Sequence, residues 1–179
     1  MGGVCALLIG LQSQVFAAPK QKTESQILHK AYKLLFPKQL IKNKRVVQQT
    51  ISKQPIPDRY LATQVAKKQI RKKYRWGGKN PKTGFDCSGL IHYAYKSVSV
   101  NLPRTARAQY NVTKRVSLKS LQVGDLIFFH TRRTRAKVNH VGLYLGAGKF
   151  IHAPRKGRRV SVAILNKYWR RKAVGAGRV

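Results

Sequence analysis

Along this chain apolar residues recur first at helical and then at strand spacing, with the change falling near Pro103. After Pro57, residues Leu61, Ala62, Val65, Ala66 and Ile70 share one helical face, which predicts a helix with Asp58 as its N-cap. It is expected to end near Tyr74, because Gly77-Gly78 and Asn80-Pro81 force a loop. Leu90, Ile91, Ala94 and Tyr95 mark a second helix, from Cys87 to Lys96. Beyond Pro103 the runs Asp125–Phe129, Val141–Leu145, Phe150–Ala153 and Val160–Ile164 read as short strands, bounded by Gly124, Gly146, Gly148 and Gly157. Helices followed by an antiparallel sheet place the domain in the α+β class.

The amino-terminal third reads differently. Residues 1–17 carry no charged side chain and contain the run Val4-Cys5-Ala6-Leu7-Leu8-Ile9-Gly10-Leu11, the pattern of a secretory signal peptide cleaved near Ala17 or Ala18. The run is too short for a transmembrane helix, and no Lys or Arg precedes it. Residues 18–57 form a basic tail or linker, closed by Gln54-Pro55-Ile56-Pro57. Within it, Ile27, Leu28, Ala31, Tyr32, Leu34 and Leu35 give a short amphipathic stripe. Residues 58–179 are then the folded domain.

Charge changes the picture most. The 179 residues include 38 Lys and Arg against 4 acids, Glu24, Asp58, Asp86 and Asp125, for a formal net charge of +34. Such a chain associates with polyanions, whether nucleic acid, anionic lipid or the acidic polymers of a bacterial envelope, and charge alone does not choose among them. Four scattered acids leave little scope for a carboxylate-rich metal site or for paired-carboxylate hydrolysis. No Cys and His cluster has zinc-ligand spacing, so no zinc site is expected.

The chemistry that remains centres on Asp86-Cys87-Ser88-Gly89. Loss of Cys5 with a leader leaves Cys87 as the single thiol, a candidate nucleophile or, alternatively, a small buried hydrophobe. With Asp86 as N-cap, Cys87 occupies the first helical position, where unpaired N–H groups and the helix dipole favour thiolate. Two histidines can be placed by hairpin parity. If Gly146-Ala147-Gly148 is a three-residue turn, Leu145 faces Lys149 and His152 falls opposite Gly142, on the same sheet face as His140. A two-residue turn would separate the two imidazoles. A thiol with a base and an orienting group is the set that nucleophilic catalysis needs. His29, His92 and His130 read instead as solvated, packing and loop residues.

Six blocks occur in the order found in NlpC/P60 family cysteine peptidases, which this chain resembles over about residues 59–179. They are Tyr74-Arg75-Trp76-Gly77-Gly78, Phe85-Asp86-Cys87-Ser88-Gly89-Leu90-Ile91, Leu102-Pro103-Arg104-Thr105, Gly124-Asp125-Leu126-Ile127-Phe128-Phe129, His140-Val141-Gly142-Leu143-Tyr144-Leu145-Gly146 and Phe150-Ile151-His152-Ala153. The resemblance implies a papain-like fold and cleavage of the peptide stems of bacterial peptidoglycan. It implies Cys87 as nucleophile, His140 as general base and His152 as the residue orienting that base. Tyr74 matches a tyrosine near the nucleophile whose hydroxyl helps to hold an oxyanion. Asp86 and Ser88 match positions flanking the nucleophile, Arg104 lines the cleft, and Asp125 shapes the start of its strand.

The compact domain, without repeated wall-binding modules, resembles Gram-negative envelope enzymes. That makes the diaminopimelate–D-alanine cross-link the first expectation for the bond cut, ahead of the γ-D-glutamyl–diaminopimelate bond. The basic surface suggests retention on anionic envelope polymers or a membrane surface, while no nucleic-acid motif accompanies the charge. Rival readings are an N-acetylmuramoyl-L-alanine amidase or an acyltransferase on the same fold, and a non-catalytic envelope or nucleic-acid binder.

Overall fold

The computed structural model describes residues 56–131 and 136–179, so the expected signal segment, the tail stripe, Cys5 and His29 lie outside the described residues. Two helices, α1 (Asp58–Lys67) and α2 (Cys87–Lys96), flank a small hairpin of β1 (Lys79–Asn80) and β2 (Gly84–Phe85). A short helix, α3 (Ala106–Val112), leads into β3 (Lys114–Val116), β4 (Leu126–Phe129), β5 (His140–Gly146), β6 (Lys149–His152) and β7 (Ser161–Ile164). Helix α4 (Lys167–Lys172) and strand β8 (Ala173–Arg178) complete the chain. The six-stranded sheet runs β3-β8-β4-β5-β6-β7 with every pair antiparallel, an α+β architecture.

The core lies on both faces of this sheet. Leu126-Ile127-Phe128-Phe129 is a continuous apolar run because β4, between β5 and β8, is buried on both sides. On one face Leu126, Phe128, Val141, Leu143 and Ile151 meet Leu90, Ile91, Ala94 and Tyr95 of α2 and Ala62 and Ala66 of α1. Each fully buried Leu, Ile or Phe there contributes about 1.5–3 kcal/mol. The Tyr95 hydroxyl donates to the Gly124 carbonyl at 2.7 Å, so the ring is buried without stranding its polar end. On the other face Ile127, Phe129, Phe150 and Leu165 pack with Trp169 of α4.

The Cys87–Lys96 helix has its expected bounds, and the four expected strands are present to within one residue at either end. The first helix departs from expectation at both ends. Pro57 is its N-cap and Asp58 is its first residue, with no side-chain cap bond; the carboxylate still lies in the first turn, where the helix dipole favours it. The helix stops at Lys67 rather than near Tyr74, because residues 71–74 pair with the 158–160 segment. Arg71 N–H donates to the Val160 carbonyl, Val160 N–H to Lys72 and Tyr74 N–H to Arg158, each at 2.9 Å. Ile70, assigned to the apolar face, is consequently exposed.

The β5–β6 turn also differs. Gly146 pairs with Lys149 across a two-residue turn in which Ala147 and Gly148 both have positive φ, 50° and 66°. A two-residue turn alone would part the histidines. A bulge between Tyr144 and Gly146 inserts the compensating residue, so Leu143 faces Ile151 and Tyr144 faces Phe150, as a three-residue turn would have required.

Candidate active site

Asp86 organises the start of α2. Its Oδ1 accepts the Gly89 N–H at 2.7 Å, capping the helix, and its Oδ2 accepts the Gly77 N–H at 2.9 Å. The Arg104 guanidinium grips the same carboxylate with both terminal nitrogens, Nη2 to Oδ2 at 2.6 Å and Nη1 to Oδ1 at 3.0 Å. It donates further to Ser88 Oγ at 3.0 Å and to the Gly78 carbonyl at 3.3 Å. Arg104 thus borders the cleft, as expected, but its donors serve Asp86 and Ser88. Gln109 adds a second brace, its Nε2 donating to the carbonyls of Ser88 at 3.1 Å and Pro103 at 2.9 Å. Gly89 is required by contact: a Cβ there would run into the Gly78 carbonyl oxygen, so the helix start and the Gly77-Gly78 turn lie backbone to backbone.

This scaffold puts Cys87 at the first position of α2, where it lines a cleft of about 530 Å³ together with Tyr74, Trp76, Arg104, Arg107 and His140. Trp76 stands at the mouth, 79% exposed. Backbone N–H groups, among them that of Val141, draw the thiol's pKa down, but burial, followed by the Asp86 charge, outweighs them and pushes it up. The pull of the helix start toward thiolate is thus present, as expected, but burial outweighs it.

His140 opens β5 and His152 closes β6, and both are buried. His140 Nε2 and His152 Nδ1 lie 2.9 Å apart and share one proton. Burial lowers the His152 pKa from 6.5 to about 4, so at neutral pH this imidazole is uncharged. It is then able to accept the His140 N–H at Nδ1.

Trp169 closes the pair from the α4 side. Its ring lies 6.0 Å from His140 at an interplanar angle of 27° and meets His152 edge-on at 5.2 Å, within the Phe129–Phe150 cluster. Sequence reasoning missed Trp169 and Gln109; the one available signal was an aromatic pair, Tyr168-Trp169, inside an otherwise cationic segment. A second cleft, about 450 Å³, continues past His140 along Thr131, Pro154, Arg155, Tyr168 and Trp169.

The other candidates fall outside the cluster. His92 Nδ1 lies 2.7 Å from the Leu102 carbonyl and His130 Nδ1 3.1 Å from that of Ala136, a packing and a loop role. Asp125 is fully buried and held by Arg178 through Nε–Oδ1 and Nη2–Oδ2 contacts of 2.8 Å each, while its Oδ2 also accepts the Gln122 N–H. It braces the start of β4 against β8. Among the described residues no group of three or more His, Cys, Asp or Glu side chains is placed to hold a metal ion.

A thiol at a helix start, facing a hydrogen-bonded imidazole pair across a cleft, is the layout of a cysteine hydrolase. The NlpC/P60 family model matches residues 71–178, and the chain belongs to that family. It is 49% identical over 115 residues to murein DD-endopeptidase MepH of Escherichia coli K12, and 41% identical over 106 residues to the bifunctional muramidase/DL-endopeptidase CwlT of Bacillus subtilis 168. These alignments cover 62% and 59% of this chain but 42% and 32% of those proteins, so the chain spans less than half of either. Among solved structures it resembles an NLP/P60 family protein from Staphylococcus aureus Mu50, with a TM-score of 0.63 and 35% identity over 75% of this chain and 47% of that one. It also resembles NlpC2 from Trichomonas vaginalis, with a TM-score of 0.63 and 34% identity over 70% and 47% of the two chains.

Proposed function

We propose that this protein is an exported peptidoglycan endopeptidase that hydrolyses an amide bond in stem peptides or their cross-links through a thioester at Cys87. The observation that carries this reading is the shared cleft of Cys87 and His140 with the 2.9 Å bond from His140 to a neutral His152. Nδ1 of His140 takes the thiol proton as sulfur attacks the scissile carbonyl, and the imidazolium formed donates its Nε2–H to His152. The oxyanion is met by the N–H groups at the start of α2, with the Tyr74 hydroxyl as a further donor. Collapse of the tetrahedral intermediate breaks the C–N bond, and the imidazolium passes its proton to the leaving amine. Water, deprotonated by His140, then attacks the thioester, releasing a carboxylic acid and restoring the thiol. Clefts on both sides of His140 give room for peptide on either side of the bond.

The higher identity to a DD-endopeptidase than to a DL-endopeptidase supports the diaminopimelate–D-alanine cross-link as the bond cut. The apolar segment 1–17 and the location of this polymer support export to the envelope, with residues 58–179 as the catalytic domain and 18–57 as a basic tail. The test is digestion of defined cross-linked muropeptides, read by mass. Wild-type protein should yield uncross-linked monomers, and Cys87→Ala none. Release of intact stem peptide from muramic acid would identify an amidase instead, and activity retained in Cys87→Ala would falsify the assignment of the nucleophile.

A further inference from the structure

A separate cleft of about 430 Å³ lies between residues 70–73 and the turn at residues 81–84, and Arg159 also lines it. Its lining carries five cations, Arg71, Lys72, Lys73, Lys82 and Arg159, and no carboxylate. The carboxylates of Asp86 and Asp125 are already gripped by Arg104 and Arg178, so neither neutralises it.

The walls are held in place. Arg71 has φ 72°, a left-handed conformation that costs a non-glycine residue about 1–2 kcal/mol. Three contacts of 2.9 Å hold it there: its N–H to Val160, Val160 N–H to Lys72, and Arg159 Nη1 to its own carbonyl. Opposite, Asn80 Oδ1 accepts from Lys82 N–H at 3.0 Å and from Thr83 N–H at 2.9 Å, fixing the turn. Gly84, at φ 107°, brings that turn against the Lys73 carbonyl, from which a Cβ would be only 2.5 Å. The cationic side chains therefore spring from a backbone held on both sides of one cleft, with no carboxylate in its lining to offset them.

We infer that this cleft binds the phosphate groups of a phosphodiester-linked envelope polymer. Arginine forks and lysine ammonium groups together suit phosphate, which offers several anionic oxygens at one centre. Five cations around this volume exceed the charge of one phosphate, which favours a repeating anion over a single ion. The placement fits a tether. Lys73 lines this cleft while Tyr74, next in an extended segment, lines that of Cys87, and the two clefts share no residue. Polymer held here leaves the Cys87 cleft open and raises the local concentration of neighbouring substrate. That the polymer belongs to the envelope rests on the peptidase reading; the cleft's affinity for phosphate does not.

The test is fluorescence anisotropy of the full chain with labelled poly(glycerol phosphate), against poly-γ-glutamate and duplex DNA of matched charge. Arg71→Gly with Lys82→Gln removes two cleft cations while suiting the φ at residue 71. Lys114→Gln with Lys119→Gln removes two exposed cations elsewhere. The phosphate polymer should bind most tightly, the cleft pair should weaken it at least about tenfold, and the control pair by less than about threefold. Equal loss in both pairs would show diffuse attraction and overturn the site; equal or tighter binding of poly-γ-glutamate or DNA would overturn the ligand class. Both pairs should digest soluble muropeptides at the wild-type rate. An inactive wild type would sink the peptidase reading and leave the anisotropy result standing.

Discussion

His140 Nε2 sits 2.9 Å from His152 Nδ1, and the two residues face the same side of the sheet because a single bulge in β5 restores the parity that the turn removes. The bond orients one imidazole toward the Cys87 cleft while the other stays neutral. His152→Ala should lower kcat on muropeptides by about a hundredfold with little change in KM, and His152→Asn should recover part of the loss. Equal activity in all three proteins would remove His152 from the mechanism.

The same burial makes stability depend on pH. His152 has a pKa of about 4 in the fold against 6.5 when unfolded, so below pH 6.5 the unfolded chain takes the proton first. Its neutral form supports the fold fully above pH 6.5, and that support is lost as pH falls towards 4, about 3 kcal/mol in all. Urea melts at a series of pH values should show this slope in the wild type and a flatter one in His152→Asn. Parallel slopes would contradict it.

Cys87 should label slowly with iodoacetamide at neutral pH, the rate climbing through the alkaline range. Burial and then the Asp86 charge favour the neutral thiol, so the thiolate fraction grows only as pH rises. A rate already at its plateau below neutrality would mean that the resting enzyme holds a thiolate–imidazolium pair.

Arg104 gives helix α2, which starts at Cys87, its footing. Arg104→Ala takes the guanidinium from the Asp86 carboxylate, 13% exposed, leaving it the Gly77 and Gly89 N–H groups, and should cost about 2 kcal/mol after allowance for that exposure. Arg104→Lys, keeping charge without the fork, should fall between. Chemical denaturation reads both, and two unchanged midpoints would reduce Arg104 to a surface cation.

Gly89→Ala tests the tight approach beneath Cys87. The added methyl meets the Gly78 carbonyl, which also accepts the Asp86 N–H at 3.0 Å and so cannot easily retreat. A loss of about 2–3 kcal/mol with reduced activity is expected. Wild-type stability would show that the turn moves freely.

Much of this was legible in one dimension. Helix α2 and strands β4 to β7 follow from periodicity and breakers, since a helix or strand written in consecutive residues is specified by local pattern. Cys87 at the helix start followed from cap chemistry, whereas His140 and His152 share a sheet face through a bulge that turn length alone did not reveal. β8 was not legible: Ala173-Val174-Gly175-Ala176-Gly177 has little strand propensity and is a strand only because β3 and β4 pair with it on either side. The end of α1 at Lys67 was set by pairing with residues nearly ninety positions away, which overrides local helical spacing.

The sequence by itself thus determined the class of fold and the order of its central elements, because each element is encoded within a single helix, turn or hairpin. The three residues of the proposed chemistry were read from their motifs. Only the tertiary structure decided how they are held. Arg104 closes on Asp86, Trp169 closes over the imidazoles, and the basic cleft forms where residues 71 and 159 meet. Each is a contact between side chains or segments far apart in the chain, and whether such a loop closes depends on the packing of everything between.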